Sequence, residues 1–441
     1  MSQIPQSVVI RPCAEFNGTI EVPGDKSVSH RVAMMSALAS GTSKIRNFLQ
    51  SEDCVNTLRA MEALGARSFF SEDGELSIQG TGGNLLEPAG ALNIGNSGTT
   101  IRLLAGILAG QSGTFEMSGD ESLCSRPMTR IKDPLEKMGA KVELTGERGT
   151  APIRITGGKL KGIDYVLPVA SAQVKSCVLL AGLFAEGVTT VTEPIPTRDH
   201  TERLFRTLDL PIAVDGLQVQ LKGFGPQGPS LKARSFLIPG DFSSAAFWMV
   251  AAAARKKAMV VIRNVGLNPR RIALLEVLKK AGAQVEVKQA SGGSDAEPIG
   301  DVKVVGGKLK AVEVGGADIP NLIDELPLVA VLGCLAEGTT VIKNAAELRV
   351  KESDRIATMA ANLRLLGAEV EEREDGMAVR GPTALKPAGA VRSYGDHRIA
   401  MAMAVLASYA AEPVVINNVA CVDTSYPGFW DDMRELGGQV E

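Results

Sequence analysis

A chain of 441 residues is long enough for more than one domain, and its 45% hydrophobic and 22% charged residues suit large cores in a soluble globular protein. A net charge of −3 and a pI near 5.9 argue against nucleic acid as a partner, and no uncharged apolar run reaches the length of about 20 residues that crosses a membrane. The first residues carry no basic region followed by an apolar core, and the six cysteines are spread without a C-x-x-C pair, so we expect a cytoplasmic protein without a secretory signal, disulfide framework or zinc site.

In chain order, the first marked stretch is Val22-Pro23-Gly24-Asp25-Lys26-Ser27-Val28-Ser29-His30-Arg31. Pro23-Gly24 ends a strand, and Asp25 or Ser27 can cap a helix beginning at Val28. Lys26, His30 and Arg31 add positive charge to a helix start that already attracts anions, so a phosphate or carboxylate site competes here with an ordinary capped helix. Ile238-Pro239-Gly240-Asp241-Phe242-Ser243 repeats the punctuation halfway along the chain. There Phe242, Ala246 and Phe247 replace the three basic residues, so one architecture is used twice and charged once.

A larger repeat frames these motifs. Six times, an Ala/Leu-rich helix is followed by a Gly-containing turn and a β-branched strand, with starts roughly 70–80 residues apart, longer than solenoid periods. The helices begin near Ser27, Ser97, Ser171, Asp241, Asp324 and His397. A second helix follows each strand, for example over 54–64, 127–138, 271–280 and 354–366. Four of these end on Gly-Ala steps at Gly65, Gly139, Gly282 and Gly367, the expected helix stop. Alternating strands come next. The first helices show little polar face, and a helix apolar all round is buried. We therefore expect an α/β (α+β) fold of two globular halves, each with three helix-strand-helix-strand units. The inner helices would bundle and the sheets would lie outside. The expected division is 1–21 plus 240–441 against 22–239, with a hinge near 20–22 and 238–241 that permits closure. The first strand, around Val8-Val9-Ile10, belongs in this scheme with the C-terminal half.

Polar residues collect at the starts of the apolar helices. Asn96-Ser97-Gly98-Thr99-Thr100-Ile101-Arg102 can cradle an anion on its amides, as can Ser171-Ala172-Gln173-Val174-Lys175-Ser176, with simple capping the alternative in both. Asp324 stands at the mouth of the apolar stretch 326–335 and is a candidate base or an N-cap. Arg349-Val350-Lys351-Glu352-Ser353-Asp354-Arg355 is dense in both signs, either a solvated charge run or part of a site. Arg126, Arg355 and Arg398 can offer two-pronged donors to carboxylate or phosphate. The P-loop and dinucleotide fingerprints are absent, and the three histidines (His30, His200, His397) have no metal-ligand spacing. We expect no cofactor and no metal.

Taken in series, Gly24-Asp25-Lys26-Ser27…His30-Arg31, Gly95-Asn96-Ser97-Gly98-Thr99-Thr100-Ile101-Arg102, Arg126-Pro127-Met128, Arg349-Val350-Lys351-Glu352-Ser353-Asp354-Arg355 and Gly395-Asp396-His397-Arg398 closely resemble the 5-enolpyruvylshikimate-3-phosphate synthase family. The resemblance covers nearly the whole chain in order. It implies the enolpyruvyl transferase fold, an inside-out α/β barrel with buried parallel helices. It also implies transfer of the enolpyruvyl group of phosphoenolpyruvate to the 5-hydroxyl of shikimate 3-phosphate, through a tetrahedral ketal, in chorismate and aromatic amino acid biosynthesis. Carried over, Lys26, Ser27, Arg31, Ser171, Ala172, Gln173, Arg198, Asp324 and Lys351 are implied shikimate 3-phosphate contacts. Lys26, Gly98, Arg126, Gln173, Arg355 and Arg398 form the implied phosphoenolpyruvate pocket. Asp324, Glu352 and Lys26 are the implied proton-transfer groups.

Several positions depart from the family pattern. Ala172 replaces a second Ser and leaves only backbone contact there. Thr424 stands in a stretch where some members carry a Lys. Arg198 follows a subgroup. Glyphosate occupies the phosphoenolpyruvate pocket in this family, and Gly98 implies a sensitive enzyme. The rival readings are the sister transferase acting on UDP-N-acetylglucosamine, whose Cys is here Glu121, and a non-catalytic repeat scaffold that binds anions. The expected partners are the two small substrates, with no nucleic acid and no membrane, and the expected state is a monomer.

Overall fold

The structure, a computed structural model, describes residues 6–292, 296–386 and 389–441. Six inner helices dominate it: α1 (Lys26–Leu38), α2 (Gly98–Ala109), α3 (Ala172–Gly182), α4 (Phe242–Ala253), α5 (Leu326–Leu335) and α6 (His397–Ala407). Their composition explains their place. All twelve residues of α4 are buried, and α2, α5 and α6 are buried along nearly their whole length, as helices without a polar face must be. Gly106 on α2 marks a close approach within this packing. A Cβ there would stand 2.2 Å from the Cys177 carbonyl oxygen of α3, so only glycine fits.

Each inner helix belongs to one βαβαββ repeat, and each repeat ends in a four-stranded sheet. In the second repeat Leu92–Asn93 runs parallel to Thr114–Ser118, which pairs antiparallel with Ile153–Thr156, and Ile153–Thr156 pairs antiparallel in turn with Lys141–Leu144. Three sheets are completed from afar. Ser235–Leu237 lies parallel to Thr42–Arg46, Asn17–Glu21 lies parallel to Met259–Gly266, and Ser7–Arg11 sits between Val414–Asn417 and Gln439–Val440. The outer helices stop as their sequences suggest: Gly65, Gly139, Gly282 and Gly367 all have φ between 87° and 111°, which costs glycine no side-chain clash.

The chain divides into two compact units. An inserted unit holds Gly24–Pro239, and a flanking unit holds the described residues up to Pro23, Gly240–Ser291 and Pro298–Glu441. Each has its own continuous apolar core. The division differs from the sequence reading in two places. Val22 and Pro23 stay with the flanking unit, where Pro23 accepts a hydrogen bond from Asp241 N (2.8 Å). The short stretch ending at Glu297 groups with the inserted unit, because Ala296 and Glu297 bond to its residues Arg203 and His200.

Two helix starts also shift. α1 begins at Lys26, so Asp25 is the cap (its carboxylate accepts from Val28 N at 2.9 Å) and Ser27 lies inside the helix. Arg126-Pro127 does not open the next outer helix, which starts at Thr129. Pro127 instead forms a β-bridge to Thr150. Among the described residues no helix is long and apolar enough to cross a membrane.

Candidate active site

In the inserted unit, the starts of α1, α2 and α3 carry the polar residues. Lys26 opens α1 with Nζ 3.1 Å from Asp53 Oδ2, both groups largely buried. Asp53 is hard to single out by sequence, because an acid in the first turn of an outer helix looks like ordinary dipole compensation. Arg31 points into the unit. Its Nε donates to Thr201 Oγ1 (2.7 Å), Nη2 to Ser176 Oγ (2.8 Å) and Nη1 to the Ser27 carbonyl (2.9 Å). Burial pushes its pKa down to about 10, against the fields of Glu202, Asp25 and Glu297.

His30 corrects an expectation. It adds no charge to this helix start: it is fully buried, Nδ1 lies 2.7 Å from Thr57 Oγ1, and burial followed by Lys26 and Arg31 holds it well below the usual histidine range. Ser29 is also structural, accepting from Leu49 N.

Ser97 caps α2, its hydroxyl accepting from Thr100 N at 3.1 Å. Gly98 follows at the helix start. A Cβ there would lie 3.0 Å from Nη1 of both Arg102 and Arg126. Arg126 is buried and donates to the Asn96 side chain (2.5 Å), the Asn96 carbonyl (3.3 Å) and Ser122 Oγ (3.1 Å). Gln173, in the first turn of α3, is held from both ends: Arg102 Nη1 donates to its Oε1 (2.8 Å), and its Nε2 donates to Thr99 Oγ1 (3.1 Å). The sequence motif that contains Arg102 implies no role for it. A lone charge in the otherwise apolar run of α2 is the signal that could have found it. Ser171 caps α3, accepting from Val174 N at 3.4 Å, and Ala172 begins the helix. Arg198 is half-buried just before the helix His200–Thr207, and its charge is felt at Arg31. These residues, with Ser27, share one unit.

The flanking unit brings together the rest. Asp324 does not cap α5, since Glu325 takes that place without a side-chain cap bond. Its carboxylate lies 3.4 Å from Arg355 Nη1 and 3.6 Å from Arg398 Nε, and its carbonyl accepts from Arg398 Nη1 (3.1 Å). Arg355 is 1% exposed and ringed by carboxylates: Nε donates to Asp396 Oδ2 (2.8 Å) and Nη2 to Glu352 Oε2 (2.6 Å). Burial alone would lower its pKa, but Asp396, Glu352 and Asp324 outweigh that and hold it above the ordinary arginine value. Asp396 caps α6 through Arg398 N (2.9 Å) as well, so one buried carboxylate holds the Arg355 guanidinium and caps the helix that carries Arg398. Burial holds Lys351 below the usual lysine range, Asp324 and Glu347 opposing and Arg355 reinforcing. Thr424, where some family members carry a Lys, donates to the Cys421 carbonyl (2.7 Å). Among the described residues no group of His, Cys, Asp and Glu could hold a metal ion.

The two units thus carry helix-start cations and amides suited to phosphates and carboxylates, with carboxylates in the flanking unit suited to moving protons. The fold is that of an enolpyruvyl transferase. The crystal structure of NikO from Streptomyces tendae shares it at a TM-score of 0.80 and 19% identity, covering 99% of this chain and 98% of that one. EPSP synthase from Acinetobacter baumannii is nearer, with a TM-score of 0.85 and 43% identity over 99% of this chain and all of that one. Relatives named 3-phosphoshikimate 1-carboxyvinyltransferase include those of Akkermansia muciniphila, 49% identical over 432 residues (96% of this chain, 98% of the relative), and Bacillus subtilis, 47% over 422 residues (96% and 97%). The family model of EPSP synthase (3-phosphoshikimate 1-carboxyvinyltransferase) matches residues 10–433, and the chain belongs to that family.

Proposed function

We propose that this enzyme transfers the enolpyruvyl group of phosphoenolpyruvate to the 5-hydroxyl of shikimate 3-phosphate and releases phosphate, a transferase step of the shikimate pathway towards chorismate. The observation that carries the residue assignment is Asp324, set between Arg355 and Arg398 and not capping its helix.

Both substrates are anions. Lys26, Ser27, Arg31, Ser171, the Ala172 amide, Gln173, Arg198 and Lys351 take shikimate 3-phosphate. Lys26, the Gly98 turn, Arg126, Gln173, Arg355 and Arg398 take phosphoenolpyruvate. Asp324 removes the proton of the 5-hydroxyl as its oxygen attacks C2 of phosphoenolpyruvate, while Glu352 or Lys26 protonates the methylene carbon to give the tetrahedral ketal. Removal of a methyl proton then expels phosphate and leaves the enol ether. A carboxylate between two guanidinium groups is a weak base. An incoming phosphoenolpyruvate that takes up the donors of Arg355 and Arg398 frees Asp324 to accept the proton. The working form is a cytoplasmic monomer that needs only its two small substrates.

Phosphate release measured with both substrates, with each alone, and with UDP-N-acetylglucosamine replacing shikimate 3-phosphate tests the reading. Release only with the proposed pair is expected. Release with the nucleotide sugar overturns it.

A further inference from the structure

The consecutive residues Lys175-Ser176 on α3 meet the consecutive residues Thr201-Glu202 on the helix His200–Thr207. Lys175 Nζ lies 2.6 Å from Glu202 Oε1 and 3.0 Å from Glu193 Oε2, and Ser176 Oγ lies 2.7 Å from Thr201 Oγ1. One ionic rung and one hydroxyl rung therefore join the two helices, and all four of those residues are buried. Arg31 arrives from a third element, α1, and seats Nε on Thr201 and Nη2 on Ser176. With Nη1 on the Ser27 carbonyl, three of the five N–H groups of the guanidinium are directed by this frame, and two remain for a ligand.

The chemistry of the frame is selective. A carboxylate would hold Arg31 as firmly, but would also neutralise it. Two hydroxyls fix the direction of the fork and leave its charge to act on an anion. The ionic rung acts separately, since Lys175 with Glu202 and Glu193 ties α3 to its neighbour whether or not the hydroxyls are present. Ser176 and Thr201 thus both join the helices and aim Arg31, while the ionic rung holds the helices without a hydrogen bond to the guanidinium.

We infer that Ser176 and Thr201 are positioning residues for shikimate 3-phosphate, acting through Arg31; this rests on the reading of Arg31 as a contact to that substrate. Steady-state constants and thermal midpoints of Thr201→Val, Thr201→Ser, Ser176→Ala and Arg31→Ala test it. Losing one hydrogen bond to a charged group, Thr201→Val should raise the KM for shikimate 3-phosphate about tenfold, while the KM for phosphoenolpyruvate and kcat change under about threefold. Thr201→Ser should restore the value, and Ser176→Ala should repeat the defect. An unchanged KM in Thr201→Val, or equal rises for both substrates that Ser does not rescue, overturns the inference, provided Arg31→Ala is itself defective. If Arg31→Ala leaves the KM for shikimate 3-phosphate unchanged, the reading of Arg31 falls and the inference falls with it.

Discussion

Arg31 and Arg126 are held in the opposite way to Arg355 and Arg398. Arg31 and Arg126, in the inserted unit, are fixed by hydroxyls, a side-chain amide and backbone carbonyls, all neutral. Arg355 and Arg398, in the flanking unit, are fixed among Asp324, Glu325, Glu352 and Asp396. A neutral frame leaves a cation's charge for an incoming anion. A carboxylate frame cancels much of it, but keeps acids and bases beside the ligand's landing place. The frames of Arg31 and Arg126 are thus suited to attracting and orienting an anion, and those of Arg355 and Arg398 also set groups that can carry a proton beside the cation. The echoed Pro-Gly-Asp starts make the contrast sharper. Asp25 and Asp241 cap α1 and α4 alike, yet only α1 carries Lys and Arg behind the cap.

The largest effect should come from removing the base. Asp324→Asn keeps the shape and loses the charge, and kcat should fall about 10²–10⁴-fold with both KM values nearly kept. Near-normal turnover with collapsed binding would make Asp324 a binding group and blur the division between the units. Next comes the loss of an arginine from each frame. Arg355→Ala leaves Asp396, Glu352 and Asp324 without their shared cation, and stability measured by denaturant should drop by about 3–5 kcal/mol. Arg126→Ala strands only neutral partners and should cost about 1–2 kcal/mol, with the defect appearing instead in the KM for phosphoenolpyruvate. Equal stability losses would contradict the comparison.

Lys351 tests the same contrast by pH. Its folded pKa is lowered by burial, so between the folded and unfolded values the unfolded chain binds more protons and stability rises with pH. Substrate binding runs the other way: the affinity for shikimate 3-phosphate should fall as pH climbs through the lowered pKa, because the cation is lost. Lys351→Arg should abolish that alkaline limb in a KM-against-pH profile. A limb that persists in the arginine variant belongs to another group.

Much of this was legible in the chain, and the reasons are physical. The inner helices could be read because an Ala/Leu-rich helix without a polar face has nowhere to go but inside. The outer helix ends could be read because Gly65, Gly139, Gly282 and Gly367 adopt a backbone that other residues resist. What sequence could not give was partnership across the fold. Asp53 beside Lys26, Thr201 beside Arg31 and Arg102 beside Gln173 are 27, 170 and 71 residues apart. The inward turn of His30 was hidden too, since only packing against Thr57 and Cys54 decides that a histidine at a basic helix start is neutral.

The smallest effect concerns Gly98, where the neutral frame of Arg126 meets the proposed phosphoenolpyruvate pocket. A methyl group added there would sit 3.0 Å from Nη1 of both Arg102 and Arg126. Both atoms are the far ends of flexible side chains, so they can yield by a few tenths of an ångström without moving the backbone. Arg126 keeps its bonds to Asn96 and Ser122 through such a shift, but its fork moves relative to the ligand. Crowding of this kind typically costs about 1–3 kcal/mol. Glyphosate is longer than phosphoenolpyruvate and has less room to adjust, so Gly98→Ala should raise its inhibition constant more than it raises the KM for phosphoenolpyruvate. The wild-type enzyme should be sensitive. Inhibition constants and KM values for the two forms decide the matter. Equal losses for both ligands, or a wild type already insensitive, would show that Arg126 is not aimed through Gly98 and that the length of the pocket is set elsewhere.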